Sequence, residues 1–135
     1  MTTSLHEQGI ETVHDQVVSQ VAQRWAKAFV CKATIKGTGE HHSWASPDQT
    51  CDIVGWYVSS GGDTMEWMAE VETEESLSDP QIVEKWMRTI TRGIPFYLLV
   101  PRGMKESAQK LTQDASIVIS YIYEFTFING VCHIL

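Results

Sequence analysis

The sequence predicts an α/β fold: a mixed β-sheet flanked by helices on both faces, with an α-β-β-β-α-β core and a C-terminal β-hairpin. Three observations carry this. Apolar residues Ile10, Val13, Val17, Val18, Val21, Ala22, Trp25 and Ala28 recur at steps of three and four, the period of an amphipathic helix over about 8–28. Two strand-like runs, 51–58 and 64–72, are joined by Ser59-Ser60-Gly61-Gly62-Asp63, which reads as a hairpin. Finally, the uninterrupted apolar run Phe96-Tyr97-Leu98-Leu99-Val100 lies between Pro95 and Pro101, the pattern of a central strand covered on both sides.

The remaining elements follow in order. After the first helix, 29–36 switches to strand-forming residues and stops at Gly37-Thr38-Gly39, ahead of a polar loop from Glu40 to Pro47. Beyond the hairpin, Ser78-Asp79-Pro80 supplies a cap and a proline suited to a first helical turn. Ile82, Val83, Trp86, Met87 and Ile90 then make an apolar stripe, so a helix is expected over 80–92. Strand, helix, strand in that sequence favours a right-handed crossover and parallel pairing. A shorter helix is expected over 103–114. The run 117–128 is rich in β-branched and aromatic residues and leads into Asn129-Gly130, a two-residue hairpin signal. On the central hairpin both strand faces carry large apolar groups: Val54, Trp56 and Met68 on one, Ile53, Tyr57, Met65 and Trp67 on the other.

Size and composition bound the function. A chain of 135 residues with 43% hydrophobic residues is expected to form one domain, 1–135, with a real core. A formal charge of −7 opposes unspecific binding to a phosphate backbone, so any nucleic-acid role must rest on a local basic patch. No apolar run approaches the roughly 20 residues of a membrane span and the first residues lack signal-peptide character, so a cytoplasmic protein with no membrane partner is expected. Cys31, Cys51 and Cys132 are widely spaced and are read as reduced and mostly buried. Gly61-Gly62 is a turn without the lysine and hydroxyl spacing of a phosphate loop, and no serine or cysteine sits in a nucleophile motif. His41 and His42 with Cys51 lack a fourth zinc ligand at recognisable spacing. Of the five tryptophans, Trp44 alone falls in the polar loop, where it suits stacking on a base or a partner.

The chemistry concentrates on the central hairpin. A turn centred on Gly61 sets residue 52 opposite residue 70, and the period of two puts Glu72 on the face of Glu70. Three carboxylates gathered in a half-buried sheet call for a cation, a shared proton or solvent, and a hard divalent metal is the simplest partner.

Pro47-Asp48, then Asp52-Ile53-Val54-Gly55, then Ala69-Glu70-Val71-Glu72-Thr73, followed by the helix from Pro80, resemble the PD-(D/E)XK (restriction-endonuclease-like) nuclease superfamily over about 8–100. The resemblance implies a mixed sheet between helices and an acidic site that binds Mg2+ (or Mn2+) to cleave phosphodiesters in nucleic acid, DNA ahead of RNA. By similarity, Asp52 and Glu70 take the metal-ligand positions, Asp52 being preferred to Asp48 because it opens an apolar run. Glu72 stands where the family usually has lysine, as a further ligand or a base. The missing positive charge is assigned to Lys85, with Lys36 as the alternative, while the plain reading of Lys85 and Arg88 is a solvated helix face. Family members often direct a first-helix residue at the metal; Glu11 is taken for that role, with Glu7 and His14 as alternatives and a hydrogen-bonded core position the plainer reading of His14. A second functional reading keeps the fold and drops catalysis: a degenerate nuclease-like domain acting as a protein-interaction or regulatory module, as a homodimer or beside a partner subunit.

Overall fold

A computed structural model describes residues 12–37 and 49–135. Ten elements follow in chain order: α1 (Val13–Ala28), β1 (Lys32–Ile35), β2 (Ile53–Ser59), β3 (Gly62–Val71), α2 (Glu74–Leu77), α3 (Ile82–Thr89), β4 (Phe96–Pro101), α4 (Lys105–Asp114), β5 (Tyr121–Ile128) and β6 (Val131–Ile134). The strands form one six-stranded mixed sheet in the order β1 to β6. β1, β2 and β3 pair antiparallel, β3, β4 and β5 pair parallel, and β5 and β6 close an antiparallel hairpin.

Local chemistry explains where each element starts. Thr12 keeps an extended backbone and its Oγ1 accepts from Asp15 N at 3.1 Å, so α1 begins at Val13; residues 8–11 of the expected helix lie outside the described residues. The chain leaves α1 through Val30 at φ 52°, a left-handed position usually filled by glycine, and this reversal delays β1 to Lys32 instead of Phe29. A helix absent from the sequence reading, α2, is nucleated by a capping box in which Thr73 and Ser76 each bond the other's backbone N–H. Asp79 Oδ1 accepts from Gln81 N at 2.9 Å, so the expected cap bends the chain ahead of α3, which spans 82–89 and not 80–92. In the last hairpin Asn129 and Gly130 both take positive φ, 51° and 77°, as a two-residue turn of the primed type requires.

The central hairpin departs from the expected geometry in an instructive way. Its turn is two residues long, with Ser59 facing Gly62, and Trp56 faces Met65. Gly55 faces Trp67, which leaves Glu66 as an extra, bulged residue on β3. The bulge restores the Ile53↔Ala69 pairing that sets residue 52 against residue 70. It also turns Met65 to the face of Val54, Trp56 and Met68, correcting its expected place beside Ile53 and Trp67.

Two core clusters result. In the first, Val17, Val21 and Ala22 of α1 pack with Ile53, Trp67, Ala69, Val71 and Leu99. Beside them Trp25 stands edge-on to Phe29, Trp67, Tyr97 and Tyr123 with ring centroids 5.4–6.1 Å apart. In the second, Ile82 and Trp86 of α3 and Ala108 of α4 pack with Val54, Met68, Phe96, Leu98 and Val100. The three cysteines are free, Cys51 and Cys132 being buried and Cys31 partly so. At the outer edge of β6, Gln20 of α1 donates from Nε2 to Gly130 O and accepts at Oε1 from Cys132 N, both at 2.8 Å. Among the described residues no helix is long and apolar enough to cross a membrane.

Gly55 faces the Trp67 indole so closely that a Cβ there would collide with the ring. Gly55→Ala is therefore expected to destabilise the fold by about 1–3 kcal/mol through overpacking, read as a shift of the urea midpoint at unchanged m-value.

Candidate functional site

Period two along β3 sends Met68, Glu70 and Glu72 to the α3 side of the sheet, and Ala69 and Val71 to the α1 side. Glu70 and Glu72 are consequently buried, each 1% exposed, at the end of the strand where the parallel ladder with β4 stops. Asp52 stands immediately before β2, opposite Glu70.

Asp52 and β3 exchange hydrogen bonds. The Asp52 N–H donates to Glu70 Oε1 at 2.7 Å, and the Asp52 Oδ2 accepts from Val71 N at 2.8 Å. The carboxylate thus stands in for a backbone carbonyl where the antiparallel ladder ends. His14 of α1 reaches the same Oδ2 through Nε2 at 3.2 Å, and its Nδ1 lies 3.3 Å from Asp15 Oδ1. Gln49 closes the approach: its Nε2 donates to Thr34 O and Cys51 O, both at 3.0 Å, and its Oε1 accepts from Thr34 Oγ1 at 2.7 Å.

On the other side of Glu70, the Lys85 Nζ of α3 lies 2.8 Å from Oε2. This is an ion pair whose geometry falls short of an aligned hydrogen bond, which leaves the buried Oε2 with a charge partner but no aligned donor. Burial first, and then the neighbouring Asp52 carboxylate, push the Glu70 carboxyl up to about 7, even against the Lys85 ammonium. Burial is the largest influence on Lys85 and lowers it, but Glu70, joined by the charges of Glu72 and Asp52, outweighs it in sum and holds the ammonium above its ordinary range. The hydrogen bond to Asp52 lifts His14 to about 9 in spite of its desolvation. Burial, joined by Glu70 and Asp52, pushes the Cys51 thiol up to about 12, which makes it an inert thiol.

Glu72 is engaged differently. Its Oε1 accepts from Ser76 Oγ and its Oε2 from Trp86 Nε1, both at 2.8 Å. The carboxylate ties β3 to α2 and α3, and since Trp86 follows Lys85 it fixes the helix that presents the lysine. Such a fully engaged group is a poor further ligand. Asp52 and Glu70, with Lys85 between Glu70 and solvent, remain the donor set that suits a hard cation, which is often held by one or two carboxylates and otherwise by water or phosphate. Among the described residues no group of three or more His, Cys, Asp and Glu side chains is arranged to hold a metal ion.

Of the residues singled out in the sequence, the structure brings Asp52, Glu70 and Lys85 together and adds His14 as the first-helix member; Glu72 adjoins them with its oxygens turned to Ser76 and Trp86. Glu7, Glu11, His41, His42, Trp44 and Asp48 lie outside the described residues. Lys85 leaves the solvated face expected of it, whereas Arg88 stays there, 3.8 Å from Glu84 and 66% exposed. Lys85, Arg88 and Lys36 line one open cleft of about 780 Å³ with Gln49, Thr50 and Thr89. Lys36 comes from the end of β1 and the other two cations from α3, so pairing of β1 with β2 is what assembles a basic patch on an acidic chain. Helical spacing sets Lys85 and Arg88 one turn apart, and Lys36 is the alternative cation of the sequence; Gln49 has no signal there.

Compared with known proteins, the sequence matches no family model and no curated protein, and the fold matches no solved structure. Fold and site together define an α/β domain with a buried carboxylate–lysine pair beside a cationic cleft.

Two outcomes follow from the site's charges. Glu70 has a higher pKa folded than unfolded, so the native state binds the extra proton; its contribution is complete below about pH 4.5 and is lost as pH rises to about 7. The loss amounts to about 3 kcal/mol, and Glu70→Gln should flatten urea-derived stability over pH 4.5–7. A second decline, over about pH 6.5–9 from His14, should persist in that variant. Trp86→Phe, which strands Glu72 Oε2 without its donor, should cost about 1–3 kcal/mol in the same measurement at pH 7.

Proposed function

We propose that the protein is a metal-dependent nuclease-like hydrolase acting on phosphodiester bonds of nucleic acid, DNA ahead of RNA. The observation that carries this reading is the position of Lys85: its ammonium rests on the buried Glu70 and lines the cleft that Lys36 and Arg88 share. A lysine supplied from α3 is compatible with the PD-(D/E)XK likeness where Glu72 replaces the lysine of the strand. The element order α1-β1-β2-β3-α2-α3-β4, which adds the one-turn α2 to the expected core, and the separate core clusters of α1 and α3 support the same likeness.

In this reading Asp52 and Glu70 would hold Mg2+ or Mn2+, which would supply Lewis-acid activation of the phosphodiester when bound. Asp52 is held in place by the Val71 N–H and by His14, so its carboxylate needs little reorganisation. Glu70, its carboxyl pushed up to about 7, would ionise at small cost near neutral pH, the form a hard cation would need. Lys85 is 40% exposed at its side chain and can turn from Glu70 to a phosphate oxygen, placing positive charge where the transition state accumulates negative charge. Lys36 and Arg88 attract the backbone to the cleft against the field of an acidic chain. Glu72 is a positioning residue that keeps α3 and Lys85 in register.

One observation favours a degenerate regulatory module instead: the carboxylates of Asp52 and Glu72 accept bonds that hold β2, β3, α2 and α3 together, as purely structural groups would. Incubation of the purified protein with Mn2+ or Mg2+ and mixed single- and double-stranded DNA or RNA separates the two. Cleavage is expected, with Glu70→Gln and Lys85→Ala each lowering the rate by about a hundredfold or more when assayed well below each variant's own melting temperature. Rates unchanged from wild type in both variants would mark a contaminating nuclease. No cutting, together with no heat of divalent-ion binding, would assign the module.

A further inference from the structure

Next to the cationic cleft lies a second, smaller cavity of about 160 Å³ with a different character. Gln49, Thr50, Arg88 and Thr89 line both, so the two are adjoining compartments of one depression. Half-buried Trp56 and Met65 line the smaller one together with the buried Cys51, Val54 and Met68. Trp56 is held by its Nε1, which donates to Thr34 Oγ1 at 2.9 Å; the two-residue turn sets Met65 opposite it, and the β3 bulge at Glu66 brings Met68 to the same face. A fixed indole and two polarisable thioethers make a surface for a flat aromatic ring, and the guanidinium of Arg88 at the boundary can face a ring or a phosphate. The volume is well below the about 300–1,000 Å³ of sites for drug-sized ligands and admits one ring system.

We infer that the depression takes a single unpaired nucleotide, its phosphate among Lys36, Lys85 and Arg88 and its base in the Trp56, Met65 and Met68 pocket, so that the substrate class is single-stranded or frayed nucleic acid. This rests on the reading of the site as one that handles phosphodiesters, and narrows it. A base stacked inside a duplex cannot enter a blind pocket beside its own phosphate without leaving the helix, whereas an unpaired base enters freely. Affinity should therefore come from two separable parts: the cations, indifferent to strandedness, and the pocket, which discriminates.

Thr91 sits exposed at the rim of the smaller cavity and away from the larger, and Lys36 lines only the larger. Fluorescence anisotropy in EDTA, with a short labelled DNA strand and a blunt duplex of the same sequence, reads binding without turnover. The intact protein should favour the single strand by about tenfold or more. Thr91→Trp, which plugs the pocket from its rim, should abolish that preference and leave duplex binding unchanged; Lys36→Glu should weaken both ligands alike. Equal affinity for the two ligands in the intact protein, or a preference untouched by Thr91→Trp, overturns the inference. Metal-dependent cleavage alongside either result leaves the nuclease reading standing without the pocket. A Thr91-sensitive preference without cleavage keeps the pocket and removes catalysis.

Discussion

The exchange of hydrogen bonds between Asp52 and the end of β3 is the constraint on which the rest of the structure depends. A buried strand cannot leave its amides unpaired, and the Val71 N–H lies just past the end of the β2–β3 ladder at Ile53 and Ala69. The Asp52 carboxylate supplies the acceptor, and in return Glu70 receives the Asp52 N–H. This clasp holds the first residues of β2 in register, brings Glu70 next to a second acid and fixes the strand from which Glu72 reaches α3. Burial of Glu70 is tolerated because Lys85 and a backbone donor face its two oxygens. Fold and candidate chemistry thus draw on the same atoms, and variants that keep hydrogen bonding, Gln for Glu above all, separate the two roles better than truncation.

Much of this was legible in the sequence because it rests on period and turn chemistry. Alternation along 64–72 puts Glu70 and Glu72 on one face, and Asn129-Gly130 marks the last hairpin, since both readings depend only on the pleat and on φ preferences. The pairing of 52 with 70 emerged as expected although the turn is shorter than expected, because a bulge at Glu66 compensates by one residue. No propensity marks that bulge, and for the same reason the face of Met65 was misjudged. The short helix at Glu74 hid behind its own cap: the Thr73 and Ser76 pair is a weak form of the capping box, which usually carries Glu or Gln at the second position.

The site shows where local pattern loses its reach. Lys85 follows a helical wheel that assigns it to solvent, yet a long flexible side chain can extend from the edge of a packed face, and a buried carboxylate draws it there. Glu72 occupies a position that looks like a ligand in one dimension, but Ser76 and Trp86 meet it only after α2 and α3 fold back over the strand. Net charge is equally blind to arrangement. A chain of charge −7 still concentrates Lys36, Lys85 and Arg88 in one depression, and the local field there is set by distance and by low-dielectric walls more than by the total.

At the far side of the sheet, Gln20 occupies Cys132 N of the outermost strand and Gly130 O of the turn that leads into it. An open β6 would offer them to any extended chain, and a sheet whose neighbouring strand is rich in aromatic and β-branched residues is a ready template for runaway polymerisation. A single amide from the opposite helix therefore acts as a plug against self-templating, and keeps the only antiparallel end of the C-terminal half from growing by one strand more.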